Sequence, residues 1–553
     1  MSPDFTFLDD LNAQQREACL CKNNVLLTAC PGSGKTKTLT YRLAYLKNMY
    51  PESRLLNIAI TYTNKAAEEI SDRLDLLLDD TDAIWVGTIH QFCLNFVLYP
   101  YAQYSQRLSK GFRVINEWEQ REMKELYKGR YPSFLQSRKL IDFDDILSET
   151  LDILEYHPFI SKNLSRIIRS ISVDEYQDTQ EIQYRILALI YNQRPLIQLF
   201  FVGDPNQAIY GSLGGIAKTV SELNNLYRTK FDTLTLPGCY RSTQKIIDFY
   251  RQFELNKIEI RSYIEDTDGA ICFSRSVPYQ HLPRVIANII ETEIQNGSTS
   301  EEICLVAPQW RCLYPVVNSL RSLLPQLSFS SPQITAFKYD QNNLFYFLAR
   351  ILFTERGRNV KRRLRWAKRI SEILNEKYSI DITGNYSNLE ILNLINRTPY
   401  QIQATTFFKK AFELFLEYLT LDTSTQKIIL SDFHSYYKEI TKRVSEYKFR
   451  DTTENFFQFF KPSQGILVDT IHGVKGKEFK TVIAFSLHEG KIPHKQSIKC
   501  NPVNARNDAK KLLYVLCSRA ERNLFLFSEC GIKDSSPTKE LDESSFYTSQ
   551  NLR

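Results

Sequence analysis

The sequence predicts an α/β protein with two parallel sheets, each interrupted by a mainly helical insertion. Three observations predict it. Short apolar strands alternate with stretches of helical periodicity, the pattern of parallel sheets covered by helices. Those strands end in polar residues, as they do where an open parallel sheet presents ligands at its carboxyl edge. And one glycine-containing turn lies between the apolar strand Val25 to Thr28 and the helical stretch Thr38 to Leu46.

That turn reads Ala29-Cys30-Pro31-Gly32-Ser33-Gly34-Lys35-Thr36, followed by Lys37. Glycines let successive backbone N–H groups turn inward and cradle phosphates, and the helix N-terminus adds a favourable dipole. In such a loop Lys35 reaches the β- and γ-phosphates, and the Thr36 hydroxyl ligates Mg²⁺. Ala29 stands where the usual pattern has its first glycine, a difference of one methyl group. The second anchor is Ser172-Val173-Asp174-Glu175-Tyr176-Gln177-Asp178-Thr179. An apolar strand, Ile171 to Val173, delivers two adjacent carboxylates. Asp174 is the expected second Mg²⁺ ligand and Glu175 the base for the attacking water. The Gln-Asp-Thr that follows is not needed to bind ATP as such, and narrows the reading to a motor on nucleic acid.

The other elements follow in order. Leu55 to Thr61, Ala83 to Val86 and Leu196 to Val202 complete the first sheet. Their tips, Thr61 to Lys65, Gly87 to His90 and Gly203 to Gln207, are expected to line one cleft with the phosphate loop. Thr233 to Leu236, Ile271 to Phe273, Ile303 to Ala307, Ile466 to Asp469, Thr481 to Phe485 and Leu524 to Phe527 read as a second sheet. The expected domains are 1–94 with 166–230, a helical insertion at 95–165, 231–310 with 465–530, a basic helical insertion at 311–464, and a disordered tail at 531–553.

Composition bounds the rest. The 553 residues exceed one domain, and a net charge of +7 permits a nucleic-acid partner without proving one. There is no apolar run of about 18 residues, so no membrane span is expected. Met1 to Asp10 is acidic without an apolar core, unlike a signal peptide. Eleven scattered cysteines without a C-x-x-C pair suit a reducing, cytoplasmic setting and no zinc or iron–sulfur site.

Taken together, the motifs resemble superfamily-one helicases of the UvrD/Rep type, over roughly Leu8 to Phe527. The resemblance implies two RecA-like P-loop domains, ATP and Mg²⁺ as cofactors, 3′ to 5′ movement on single-stranded DNA, and as partner DNA that is single-stranded or forms a single/double-strand junction. Leu11 to Ala18 is similar to the adenine-reading motif, with Gln15 as its glutamine. Ala59 to Ala67 is similar to a backbone-touching DNA motif, giving Thr63, Asn64 and Lys65, and Val86 to His90 to another, giving His90. Ile141 to Leu147 is similar to the segment that re-enters the first domain. Gly203 to Gly211 resembles the motif whose glutamine, here Gln207, senses the γ-phosphate; Tyr210 belongs to its DNA-facing end. Leu236 to Ser242 resembles the motif in which Tyr240 stacks on adenine opposite Lys37 and Arg241 contacts the γ-phosphate. Thr470 to Phe479 resembles the motif in which Thr470 and His472 face DNA and Glu478 reaches the ribose. Leu513 to Ala520 supplies Arg519 as the second γ-phosphate arginine. On this reading Arg241 and Arg519 come from the second sheet and neutralise ATP only when the domains close.

The chain also departs from the resemblance. Ser212-Leu213 stand where the family has Trp-Arg, which removes an aromatic that stacks on single-stranded bases and leaves that grip to Tyr210 or Tyr62. Lys37 replaces an arginine, Cys239 an asparagine, and Asp508, Lys510 and Lys511 a more acidic, arginine-containing stretch. Both insertions are short. Anti-phage systems of the Gabija type pair such a helicase with a nuclease, so a nuclease or other protein partner joins DNA in the expectation. The alternative is a nucleic-acid-gated ATPase switch that regulates a partner without processive unwinding. The cations Arg356, Arg358, Lys361, Arg362, Arg363, Arg365, Lys368 and Arg369 around Trp366 read equally well as a phosphate-backbone patch or a solvated helix face. Phe456 to Phe460 reads as core. His281 and His434 have no ligand-like neighbours.

Overall fold

The computed structural model describes residues 5–542 apart from 116, 265–268, 332–335, 339, 341, 357–359, 383, 385, 420–422, 447–448, 461–464 and 533–535. The chain forms two compact units, Met1–Thr267 with Lys510–Ser518, and Asp268–Ala509 with Arg519–Arg553.

The first unit carries β1 (Asn24–Ala29), β2 (Leu56–Thr61), β3 (Ile84–Thr88), β4 (Arg113–Val114), β5 (Leu140–Ile141), β6 (Ile168–Asp174), β7 (Gln198–Gly203), β8 (Phe231–Leu236), β9 (Gly238–Cys239) and β10 (Arg261–Ser262). Its main sheet runs β3-β2-β6-β7-β1-β8, all parallel. Side chains alternate between the sheet's faces. Val25, Leu27, Phe200 and Val202 pack under helix Lys35–Met49 and helix Asn64–Leu77. Leu26, Leu199 and Phe201 face the opposite core, which is shared with Phe143–Tyr156 and Glu181–Tyr191. Burial on both faces is why these strands read as continuous apolar runs.

Thr233 to Leu236, expected in the second sheet, belongs to the first: β8 pairs with β1 from Asn24↔Phe231 to Ala29↔Leu236. Phe231 stacks on Phe201 at 5.6 Å, and Leu236 joins the core beneath the helices of the other face. The expected insertion at 95–165 is mostly integral to the sheet, because Phe143–Tyr156 and Pro158–Ile167 fill its core. Among the described residues, Ile115, Tyr131, Leu135 and Leu140, around the β4–β5 pair, form a cluster apart.

The second unit carries β11 (Ile271–Ser274), β12 (Ile303–Ala307), β13 (Phe329–Ser330), β14 (Ile466–Thr470), β15 (Phe479–Ala484) and β16 (Ala520–Phe527), in the parallel order β11-β16-β15-β12-β14-β13. Trp310–Leu323, expected in the insertion, covers this sheet through Leu313, Val316 and Leu320. The helical insertion has its own aromatic core, in which Phe337, Phe353, Phe408 and Phe456 meet edge to face or tilted.

The cationic stretch divides. Arg363 donates to the Ile351 carbonyl and Asn396, Arg369 pairs with Glu372 and Glu376, and Arg350 lies 4.3 Å over the buried Trp366 ring. Arg356, Lys361 and Lys368 face solvent, and Arg358 lies outside the described residues. The tail is not wholly disordered as expected. Thr538 donates its N–H to Leu487 and its hydroxyl to the Ile492 carbonyl, and Leu541 is buried. The Glu489 N–H donates to the Ser536 carbonyl and Pro537 bridges to His488, so backbone contacts help seat this polar segment; residues 543–553 lie outside the described residues. Among the described residues no helix is long and apolar enough to cross a membrane.

Candidate nucleotide and strand-binding site

The phosphate loop leaves β1 and enters the helix α2, Lys35–Met49, preceded in sequence by α1, Ala13–Leu20. Gly32 and Gly34 hold φ of 74° and 79°, values side chains rarely adopt. Gln15 Nε2 donates to the Ser33 carbonyl at 2.8 Å, while its Oε1 accepts the Asn12 N–H at 3.1 Å. The predicted adenine reader is thus braced on the loop itself. Lys37, expected on the face of adenine opposite Tyr240, donates to the Asp10 carbonyl at 2.7 Å.

A buried guanidinium ties the two helices together. Arg42, 0% exposed, donates to the carbonyls of Ala18, Cys19 and Cys21 at the C-terminal end of α1, and to Gln198, with its Cζ 4.8 Å from the Phe200 ring centroid. A helix end gathers unpaired carbonyls and negative potential, which is what a guanidinium satisfies. Sequence reasoning missed this residue; its signal was one arginine among the buried positions Thr38, Leu39, Leu43 and Leu46.

At the loop's other side, the Tyr240 N–H donates to the Gly32 carbonyl at 2.9 Å, and Tyr240 Oη accepts from Asn12 Nδ2 at 2.6 Å. Tyr240 is 45% exposed and stacks on Tyr263 with centroids 5.0 Å apart. Nothing local in the sequence marked Tyr263. Arg241, expected from the second sheet, stands in the first unit beside the phosphate loop, because β8 runs parallel to β1 and so ends next to the loop that leaves β1. Its Nη1 donates to the Ser518 carbonyl at 3.4 Å.

Charged chemistry gathers at the tips of β1 and β6. Lys35 Nζ lies 3.3 Å from Glu175 Oε1, and the Thr36 hydroxyl lies 3.4 Å from Asp174 Oδ2. Glu175 holds φ of 51°, and its N–H donates to Asp174 Oδ1 at 3.0 Å. Burial, then the neighbouring Glu175 charge, push the Asp174 carboxyl up, with Lys35 opposing. Such a carboxylate gains most from a cation. Thr36 and Asp174 are hard oxygen donors, and Mg²⁺ is commonly held by one or two protein groups plus substrate phosphates. The residues therefore fit the ion. Among the described residues no group of three or more His, Cys, Asp or Glu is placed to hold a metal by itself.

Gln207 Nε2 donates to Asp204 Oδ2 at 2.8 Å, and burial raises the Asp204 carboxyl. Gln177, 0% exposed, donates to Glu175 Oε2 and accepts the Asp204 N–H at 3.1 Å.

The predicted strand contacts of the first unit stand at neighbouring strand tips. Thr63 caps helix Asn64–Leu77 by accepting the Ala66 N–H at 3.2 Å, and Thr63 and Lys65 are exposed, Asn64 half-buried. His90 is half-buried and meets Phe143 edge-on at 5.4 Å; burial pushes its imidazole down to about 4. Tyr210 stacks on Tyr62 with centroids 4.7 Å apart and planes 22° apart, and Tyr62 is 38% exposed. In the second unit His472 and Glu478 are exposed, Thr470 is buried and accepts the Gly473 N–H at 3.2 Å, and Arg519, 1% exposed, donates to the Lys477 carbonyl at 3.2 Å.

Comparison with known proteins bears on this arrangement. The UvrD/REP helicase N-terminal domain matches residues 11–132 and 116–228, and the UvrD-like helicase C-terminal domain matches residues 234–529. The chain is similar to the ATP-dependent DNA helicase PcrA of Staphylococcus aureus strain Mu50, at 22% identity over 94% of this chain and 83% of the relative. It is similar to the ATP-dependent DNA helicase PcrA of Staphylococcus epidermidis strain RP62A to the same degree, 22% over 94% and 83%.

Proposed function

The chain belongs to the UvrD/Rep helicase family, an ATP-hydrolysing DNA helicase, and from that premise we propose that it is a translocase moving 3′ to 5′ on single-stranded DNA. The observation that carries the reading is the set Lys35, Thr36, Asp174 and Glu175 gathered at two strand tips, with Arg241 against the phosphate loop. Phosphoryl transfer needs positioning and charge neutralisation more than covalent help from the protein. Lys35 and Arg241 neutralise the γ-phosphate, Gln207 senses it, and Glu175 orients and deprotonates the attacking water. Thr36 and Asp174 hold Mg²⁺, which supplies further charge neutralisation on the phosphate oxygens. Tyr240 stacks on adenine, with Gln15 and Glu478 as further nucleotide contacts. Closure of the two RecA-like domains adds Arg519, and its release after hydrolysis alternates two grips on the strand. Thr63, Asn64, Lys65, His90 and Tyr210 form one grip, Thr470 and His472 the other.

Steady-state ATP hydrolysis, with and without single-stranded DNA and beside Lys35→Ala, tests this. DNA-stimulated turnover that Lys35→Ala abolishes supports it; near-normal turnover in Lys35→Ala sinks it.

One observation favours a second reading. Ser212-Leu213 stand where the family has Trp-Arg, beside the Tyr62–Tyr210 stack, which suits a nucleic-acid-gated ATPase that regulates a partner such as a nuclease. A strand-displacement assay separates the two: turnover without displacement selects the switch, and a pull-down then seeks the partner.

A further inference from the structure

We propose that Gln177 is a positioning residue for the hydrolytic base, and that the stretch Gln177 to Gln180 ties that base to the loop carrying Tyr210. The inference rests on the ATPase reading above.

The side chain of Gln177 is fully buried and both ends of its amide are used. Nε2 donates to Glu175 Oε2, and Oε1 accepts the Asp204 N–H at 3.1 Å. Glu175 has its other oxygen toward Lys35, 3.3 Å away. A carboxylate held at both oxygens has one rotamer, and a base gains from being fixed before the water arrives. Gly203 supplies the clearance: a Cβ there would overlap Gln177 Oε1 and come within 2.8 Å of Tyr176 Cδ1. The glycine at the end of β7 is thus explained by an amide that must pass.

The same stretch then grips the next loop. The Thr179 carbonyl accepts the Ile216 N–H at 3.0 Å, and Gln180 Nε2 donates to the Leu213 carbonyl at 2.8 Å. Gln180 and Gly215 form an antiparallel bridge, and the Tyr184 hydroxyl donates to the Tyr176 carbonyl at 2.8 Å and to that of Ile216 at 3.2 Å. Tyr210 lies at the start of this loop and Leu213 at its exposed tip. A strand that displaces the loop therefore pulls on the segment whose first residue orients Glu175. The coupling is carried by discrete hydrogen bonds, so each can be removed singly.

The test compares Gln177→Ala, Gly203→Ala and Gln180→Ala with the parent chain, measuring ATP turnover with and without an oligothymidylate, affinity for a fluorescent ATP analogue, and oligothymidylate affinity. Gln177→Ala is expected to lower kcat by about a hundredfold, the scale of a positioned base. Its nucleotide affinity should stay within about threefold of the parent, which separates loss of positioning from loss of the site. Gly203→Ala, which displaces Gln177 without touching a carboxylate, should copy that behaviour. Gln180→Ala should keep DNA-free turnover and DNA affinity but lose stimulation by about fivefold or more, the scale of a site-to-site coupling. Parental kcat in Gln177→Ala, or loss of nucleotide binding in both it and Gly203→Ala, overturns the positioning role. Full stimulation in Gln180→Ala overturns the coupling. Lys35→Ala in the same series keeps the failures apart: if it is inactive while Gln177→Ala is normal, only this inference falls.

Discussion

Arg241 stands against Gly32 so closely that a Cβ built on Gly32 would lie 2.5 Å from the Arg241 Cβ. The glycine also holds φ of 74°, a conformation costing a side chain about 1–2 kcal/mol. Gly32→Ala is therefore expected to move either the loop or the arginine, and to weaken ATP binding by at least about tenfold, as the two costs combine. Titration with a fluorescent ATP analogue checks this; unchanged affinity contradicts the arrangement.

The Tyr62–Tyr210 stack predicts a measurable grip on single strands. Base–aromatic stacking is worth about 1–3 kcal/mol, so Tyr62→Ala should weaken oligothymidylate binding by roughly tenfold while Tyr62→Trp retains it. Anisotropy of a labelled oligonucleotide reads both.

His90 predicts a pH dependence of stability. Its folded imidazole titrates near 4, below the usual range near 6.5. As pH falls between those values the unfolded chain takes up a proton that the folded one refuses, so stability present above about 6.5 is lost toward pH 4. Urea unfolding of the parent and His90→Asn at pH 7.5 and pH 5 checks the sign: the parent should lose more stability than the variant.

Arg42 predicts a large folding cost. Removing its guanidinium strands the three carbonyls it binds. Arg42→Met should lower unfolding free energy by about 2–3 kcal/mol, and Arg42→Lys should restore only part of it, because an ammonium can serve the three carbonyls that converge on Nη1 but not also Gln198, which Nη2 reaches, or the stack on Phe200. A urea midpoint near the parent's in Arg42→Met would refute the role.

The cationic helix Val360–Tyr378 predicts a division of labour. Lys361→Glu with Lys368→Glu should leave the thermal midpoint alone and reduce the salt slope of DNA binding by about 1 to 2, as lost phosphate contacts do. Arg363→Ala should do the reverse, since its guanidinium holds Ile351 and Asn396.

What the sequence made legible follows from range. The phosphate loop and Asp174-Glu175 announce themselves because a turn, its strand and its helix are contiguous. The two-sheet plan follows from apolar runs. Strand Phe231–Leu236 was misplaced because six residues carry a pattern but no partner; only pairing with β1 assigns the sheet, and with it the side from which Arg241 comes. Gln177 was noticed as a motif letter, yet its work depends on Gly203, 26 positions away in sequence, which no local pattern reports. Tyr263 and Arg42 likewise act through contacts more than 20 positions away in sequence, with Tyr240 and with the end of α1.

Proteases cut where backbone is exposed and unpaired. The Thr538 peptide is no such place: its N–H is held by Leu487, its hydroxyl by Ile492, and Leu541 lies buried one turn on. A nick upstream of Pro537 would uncork a socket, wetting the Leu487 and Ile492 carbonyls and the cavity left by Leu541. The stretch 536–542 thus behaves as a plug, and anything fused to this chain is best attached beyond it.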